Sequence, residues 1–288
     1  MKATIARLLL SATLAVASTG HSQSAKAPAG RSKAAAEKAV AEKPAAPAEQ
    51  SEEASELELK MRDAIQKGAT MEEIAKLKAP TITTTEEAIR ALKAGNSRFF
   101  GGQARRPEMS ANERRAQIIT QTPFAVILGC SDSRVPIELV YDQGLGEIFA
   151  IRVAGQIVEP ATAGSIEYAI THLKTRLLVI MGHEGCGAVK AAMLPEKDRA
   201  AEPENVRFLL DLIVPSVSNL PPIRDTKART REAVVANVRL QVQKARENPV
   251  IQAAVEKKQL AVIGAYYEIS SGQVDFLETE EELRITEQ

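Results

Sequence analysis

Phe124-Ala125-Val126-Ile127-Leu128-Gly129-Cys130-Ser131-Asp132-Ser133-Arg134 passes from an apolar run into a polar turn carrying a thiol, a carboxylate and a guanidinium. Leu177-Leu178-Val179-Ile180-Met181-Gly182-His183-Glu184-Gly185-Cys186 repeats that layout, apolar run first and soft ligands after it. Short apolar runs bounded by turn residues fit strands buried on both faces. Glu147 to Val153 and Leu260 to Tyr267 supply two more, and Ser271-Gly272 followed by Gln273 to Leu277 reads as a hairpin onto the last. Helical stretches fall between the runs. Ala161 to Leu173 places Ile166, Ala169, Ile170 and Leu173 on one face; Cys186 to Leu194, Val206 to Val217 and Arg231 to Lys257, broken near Pro249, follow. Alternating strands and helices predict an α/β fold with a mostly parallel central sheet flanked by helices. Sites in such sheets form at the carboxyl ends of strands, where Cys130 and His183 both fall. Cys186 opens a helix, whose N-terminus favours a thiolate.

Upstream, Thr84-Thr85-Glu86-Glu87 is a capping box opening a helix with Ile89 and Leu92 inward and Gly95 suited to its C-terminal end. Before it, Leu57, Met61 and Ile65 recur at helical spacing, Gly68 interrupts, and Thr70-Met71-Glu72-Glu73 opens a second short helix that Pro80 ends. Residues 57–82 are thus expected to form a helical extension on a catalytic domain at 83–280, with a tail at 281–288. Residues 26–56 are Ala, Lys, Glu and Pro with almost no large apolar side chain, a composition that cannot bury a core and predicts a disordered spacer. Lys2 and Arg7, the uncharged stretch Leu8 to Ala17 and the small-x-small Ala15-Val16-Ala17 read as a signal peptide over 1–25, with a retained anchor as the alternative. The stretch is short for a membrane span. The expected location is periplasmic or secreted, with no stable span after cleavage.

Thirty-seven basic and 37 acidic residues balance in a chain of 288, which leaves no polyanion-binding excess, and nucleic acid is not an expected partner. With aromatics at 3% and no Trp, a base-stacking platform is not expected either.

Chemistry is concentrated in the two quoted stretches. Cys130, His183 and Cys186 offer two thiolates and an imidazole, and three protein ligands with one position open is the pattern of catalytic rather than structural zinc. Such an ion brings bound water to a pKa near 7. Asp132 can close the fourth position or accept a hydrogen bond from the nucleophile and orient it. Arg134 can hold that carboxylate ionised by a bidentate pair, and so control whether the site is open. Both cysteines belong to this group, and in an exported chain a disulfide between them is the competing reading. His21 lies near the signal segment, and His172 ends a helix as a surface or packing residue.

Cys130-Ser131-Asp132-Ser133-Arg134 and Gly182-His183-Glu184-Gly185-Cys186-Gly187-Ala188 closely resemble the paired motifs of the β-class carbonic anhydrases. The likeness runs from about Thr84 to Leu277, through Gly95-Asn96-Ser97-Arg98-Phe99, Glu247-Asn248-Pro249-Val250-Ile251 and Gly264-Ala265-Tyr266-Tyr267. The resemblance implies a zinc lyase that interconverts carbon dioxide and bicarbonate, with Cys130, His183 and Cys186 as Zn2+ ligands and Asp132 and Arg134 as a gating and orienting dyad. It implies a substrate pocket of Gln121, Phe149 and Tyr168, as in the always-open subgroup similar to plant enzymes. It also implies a homodimer or homotetramer with the pocket at a subunit interface. One departure is visible: the family commonly reads Arg-Asn-Ala-Gly-Asn where this chain has Arg152-Val153-Ala154-Gly155-Gln156. Two other readings stay open on sequence, a hydrolase of carbon disulfide or carbonyl sulfide on the same fold, and a non-catalytic zinc-binding or disulfide-closed domain.

Overall fold

The computed structural model describes residues 60, 63–64, 66–70, 73, 77, 82–105 and 121–277. The expected signal peptide, spacer and C-terminal tail lie outside the described residues. Of the N-terminal extension, Lys60, Asp63, Ala64 and Gln66 are helical, as are Glu73 and Leu77. The second capping box is formed: Thr70 N–H donates to Glu73 Oε2 at 2.8 Å, and Glu73 N–H donates back to Thr70 Oγ1 at 3.3 Å. Among the described residues, no helix is long and apolar enough to cross a membrane.

In chain order the elements are α1 (Thr85–Phe100), β1 (Ala125–Gly129), α2 (Ile137–Val140), β2 (Ile148–Arg152), α3 (Pro160–Thr171), β3 (Leu177–His183), α4 (Gly187–Ala192), α5 (Glu196–Arg199), α6 (Glu204–Val217), α7 (Thr226–Arg246), α8 (Pro249–Glu256), β4 (Ala261–Tyr267) and β5 (Val274–Leu277). The sheet order is β2-β1-β3-β4-β5, parallel throughout except for the β4–β5 hairpin. Every residue of β1 and β3 is buried, which is why their sequences are continuously apolar rather than alternating. Alternate residues still divide between two layers. Ala125, Ile127, Leu177, Val179 and Met181 pack with Ala88 and Leu92 of α1, Val140 of α2 and its C-cap Tyr141. Val126, Leu128, Leu178 and Ile180 pack with α3, α7 and α8 through Ile166, Ala169, Val238 and Ile251.

The strand order turns back between β1 and β3, making a topological switch point at the carboxyl ends of the strands. A third apolar cluster fills that end. There Ile157, Val189, Leu210, Ile213, Val234 and Tyr266 surround Cys130 and Cys186.

Two local expectations needed correction or completion. The Thr84 capping box forms as read, but Gly95 lies inside α1, which runs on to Phe100 and is capped by Gly101. The reason is steric, since a Cβ on Gly95 would stand 1.8 Å from the Tyr141 carbonyl oxygen. Gly95 is there to let the α2 end close on α1, not to stop the helix. Its neighbour Asn96 is buried, donates to Val140 O and Gly272 O and accepts from Val274 N–H, so one amide ties α1 to α2 and β5. The break near Pro249 is real: α7 ends at Arg246, and Asn248 caps α8 by accepting from Val250 and Ile251 N–H. The four-residue helices α2 and α5 have no periodic pattern long enough to announce them.

Candidate metal centre

Cys130 follows the last residue of β1, His183 is the last residue of β3, and Cys186 is the N-cap of α4. Parallel pairing sets Gly129 beside Met181, so the two chain ends leave the sheet side by side. Gly185, at φ +69, turns the chain back within two residues of His183 and delivers Cys186 to the same point. The three candidate ligand atoms lie within 4.8 Å of one another, and all three residues are buried.

Their chemistry fits a zinc ion. The two sulfurs are 4.0 Å apart. A disulfide needs about 2.0 Å, whereas a tetrahedral zinc with bonds of about 2.3 Å spaces two thiolates about 3.8 Å apart. Both cysteines are free, so the disulfide-closed alternative does not hold here. His183 Nδ1 lies 3.0 Å from Glu184 O, and a carbonyl only accepts, so the proton is on Nδ1 and the Nε2 lone pair is left for a metal. His183 Nε2 is fully buried and has no hydrogen-bond partner among the described residues.

The thiols share charge in the manner of a ligand pair. Hydrogen bonding from Cys186 pulls the Cys130 thiol below its usual range, helped by the N–H of Gly155 at 3.5 Å from its sulfur. The same shared proton, with burial, pushes the Cys186 thiol up. The N–H groups of Val189 and Ala188 at the start of α4 act in the direction expected of a helix N-terminus, but they are outweighed. A metal ion held by the two thiolates would replace that shared proton and remove the conflict.

Beside the trio, the Arg134 guanidinium grips Asp132 with Nε on Oδ1 at 2.9 Å and Nη2 on Oδ2 at 2.7 Å, and the Arg134 backbone N–H also reaches Oδ1. The guanidinium holds the Asp132 carboxyl well below the usual carboxylate range, and the Arg134 pKa rises in return. Asp132 Oδ2 stands 4.0 Å from His183 Nε2, at the edge of the ligand set.

Several supporting residues escaped the sequence reading. Arg152, at the end of β2, donates from Nε to Cys130 O at 3.2 Å and from Nη2 to Asp132 O at 2.6 Å, bracketing the ligand turn. Glu184 accepts from Ser270 N–H at 2.9 Å and pairs with Lys227 at 3.1 Å, which ties the His183–Cys186 turn to the β4–β5 turn and the start of α7. Those contacts, the Ser270 N–H first, pull the Glu184 carboxyl down to about 2. Only the position of Arg152 after the second strand hinted at any of this.

The expected pocket residues stand elsewhere on the chain. Phe149 pairs in register with Val126 on the edge strand, four residues and about 13 Å of strand from Cys130. Its ring lies 6.2 Å from that of Tyr168, which in turn lies 4.9 Å from His172; Tyr168 is 47% exposed. Gln121 is exposed in the segment leading into β1. A single chain therefore groups Phe149 and Tyr168 on the outer flank of the sheet, away from its own ligand trio. His172 packs on Tyr168, as a surface packing residue should.

A carbonic anhydrase family model matches residues 125–274. Carbonic anhydrase 2 of Mycobacterium tuberculosis is 38% identical over 193 residues, covering 66% of this chain and 92% of the relative. A carbonic anhydrase of Mycolicibacterium smegmatis is 35% identical, over 65% and 91%. Among solved structures, a tetrameric β-carbonic anhydrase of Sordaria macrospora superimposes with a TM-score of 0.55 at 26% identity, covering 67% of this chain and 98% of the other. The chain belongs to the β-class carbonic anhydrases, zinc enzymes of carbon dioxide and bicarbonate.

Proposed function

We propose that this carbonic anhydrase is exported, holds its zinc through Cys130, His183 and Cys186, and works through an Asp132–Arg134 dyad. The observation that carries the site reading is the buried trio itself, with both thiols free and His183 Nε2 unpaired. Zinc bound there supplies a Lewis acid that makes water nucleophilic near neutral pH. The chain's own residues do the rest. Arg134 keeps Asp132 ionised with Oδ2 4.0 Å from His183 Nε2, so the carboxylate is placed to accept a hydrogen bond from the attacking water and fix its direction. Arg152 holds both carbonyls flanking Ser131, so the dyad cannot drift relative to Cys130. Ile157, Leu210 and Ile213 keep the floor of the site apolar, which suits an uncharged linear substrate better than a charged one.

Half-buried Phe149 on β2 and exposed Tyr168 on α3, with Gln121 before the start of β1, are assigned to the pocket of a second copy in a homodimer or homotetramer. Export to the periplasm or beyond rests on the charged start, the apolar stretch Leu8 to Ala17 and the Ala15-Val16-Ala17 site. Stopped-flow carbon dioxide hydration with zinc content measured on one sample of the mature chain tests the activity. Rapid hydration with about one zinc per chain is expected. Zinc without hydration overturns the open site, and parallel assays with carbonyl sulfide and carbon disulfide then decide the substrate. N-terminal sequencing of the chain recovered outside the cytoplasm tests export, with an intact Met1 as the contrary result.

A further inference from the structure

On α7, Asn237 and Gln241 sit one turn apart, both fully buried, on a helix whose other buried residues are Thr230, Ala233, Val234, Val235, Val238 and Ala245. Two amides buried there are costly unless paired, and an apolar pair would fill the space without that cost. Every bond they make with a neighbouring segment has a definite address. Asn237 Nδ2 donates to Gly155 O at 2.9 Å. Gln241 Oε1 accepts from Val158 N–H at 2.9 Å, while its Nε2 donates to Asn237 Oδ1 at 3.1 Å and reaches Leu212 O at 3.4 Å. The link between the two amides also fixes which way Asn237 points. Both amides therefore grip the 155–158 turn, and that turn begins with the peptide whose N–H points at the Cys130 sulfur at 3.5 Å.

The turn needs gripping. Gly155 and Gln156 are both in the left-handed region, at φ +74 and +44, a pairing with little intrinsic preference for one geometry. A Cβ on Gly155 would meet Ile213 at 2.5 Å, so the position is held to glycine and its backbone to a narrow space. A free glycine there could rotate its N–H off the sulfur. Pinning its carbonyl from α7 prevents that.

We propose that Asn237, supported by Gln241, is a positioning residue of the metal centre, holding the Gly155 N–H on the sulfur of the ligand Cys130. The inference rests on the zinc reading above. An N–H bond to a thiolate draws charge from the sulfur and sets its orientation, so it governs how strongly that ligand donates and how well the metal is kept. Neither amide touches substrate, and neither belongs to the paired motifs that announce the site.

The test uses the full mature chain loaded with cobalt(II) in one preparation and zinc in another. The readouts are the thiolate-to-cobalt charge-transfer absorption and the rate at which a chelator strips zinc. Asn237→Leu keeps the shape and removes both hydrogen bonds. Its absorption is expected to move to longer wavelength, with zinc lost about tenfold or more faster. Gln241→Met, which only loosens Asn237, is expected between Asn237→Leu and the unmodified chain, and it decides the matter if Asn237→Leu does not fold. Ile251→Ala, buried on α8 away from the metal, controls for lost stability: its melting temperature should fall while absorption and zinc release stay put. Variants with unaltered absorption and zinc release within twofold of the unmodified chain overturn the proposal. If the unmodified chain takes up neither cobalt nor zinc, the zinc reading itself falls.

Discussion

Arg134→Ala is the sharpest probe of the dyad. Asp132 receives three hydrogen bonds from Arg134, and the substitution removes the two made by the guanidinium while leaving the backbone one. The Arg134 side chain is 56% exposed, so solvent screens the pair and its worth lies in the surface range. Losing that pair frees the Asp132 carboxylate to sample its other rotamers. One of those rotamers swings Oδ2, now 4.0 Å from His183 Nε2, further into the ligand set, where a carboxylate competes with water for the open position. Misdirection of the remaining nucleophile compounds the loss, and changes of this supporting kind cost about 10–100-fold. The expected result in stopped-flow hydration is therefore a fall of about 10–100-fold in kcat/KM with zinc content unchanged. Arg134→Lys should fall less, because a point charge keeps Asp132 ionised but cannot fork onto both oxygens. Full activity in Arg134→Ala would refute the reasoning. So would an activity loss matched by an equal loss of zinc, since the guanidinium would then be serving the ligands and not the carboxylate.

Gly95→Ala places a methyl 1.8 Å from Tyr141 O, against a fully buried residue that cannot yield, and should cost about 3 kcal/mol in urea unfolding; a cost under about 1 kcal/mol would show that α1 can shift away from α2. Glu184 has a folded pKa pulled down to about 2, so its charge stabilises the fold above the unfolded value of about 4.3 and that contribution is lost as pH falls toward about 2. Melting temperatures of the unmodified chain and Glu184→Gln should thus differ at neutral pH and converge in acid; a gap that persists at the acid end contradicts the assignment. Tyr168→Arg puts a charge in place of the exposed ring that lies against Phe149 and should shift the assembly toward smaller species in sedimentation. An unaltered sedimentation profile would move the subunit interface elsewhere.

The fold was legible because β1 and β3 are buried on both faces and so appear as uninterrupted apolar runs, β1 followed at once by Cys130 and β3 ending in His183. Parallel strands leave a sheet in the same direction, so motifs written after two such runs are delivered to one edge. That regularity let Cys130, His183 and Cys186 be assembled from sequence spacing. The pocket residues Gln121, Phe149 and Tyr168 came from resemblance instead. Phe149 and Tyr168 lie on the outer flank of the sheet and Gln121 in the exposed segment before β1, and one chain's hydrophobic pattern carries no record of what covers them. Gly95 was misread because a glycine near a helix end has two physical uses, terminating the helix or admitting a neighbour, and only the Tyr141 carbonyl says which applies.

The buried amides were invisible for a different reason. Asn96, Asn237 and Gln241 occupy helix positions where periodicity expects apolar residues, and in a string of letters they look like imperfections of the pattern. In the folded chain each is paired to backbone of a separate segment: Asn96 to the α2 end and β5, Asn237 and Gln241 to the 155–158 turn. A polar group that breaks an amphipathic pattern and is then fully paired after folding is there to fix a geometry, because stability alone would favour an apolar side chain. The α1 amide fixes how the hairpin edge is held, and the α7 amides bind the turn whose peptide faces the Cys130 sulfur. The same argument separates them by consequence. Losing the bonds of Asn96 should loosen β5 and the α1 packing without reaching the trio, whereas losing those of Asn237 reaches the Cys130 sulfur through a single glycine.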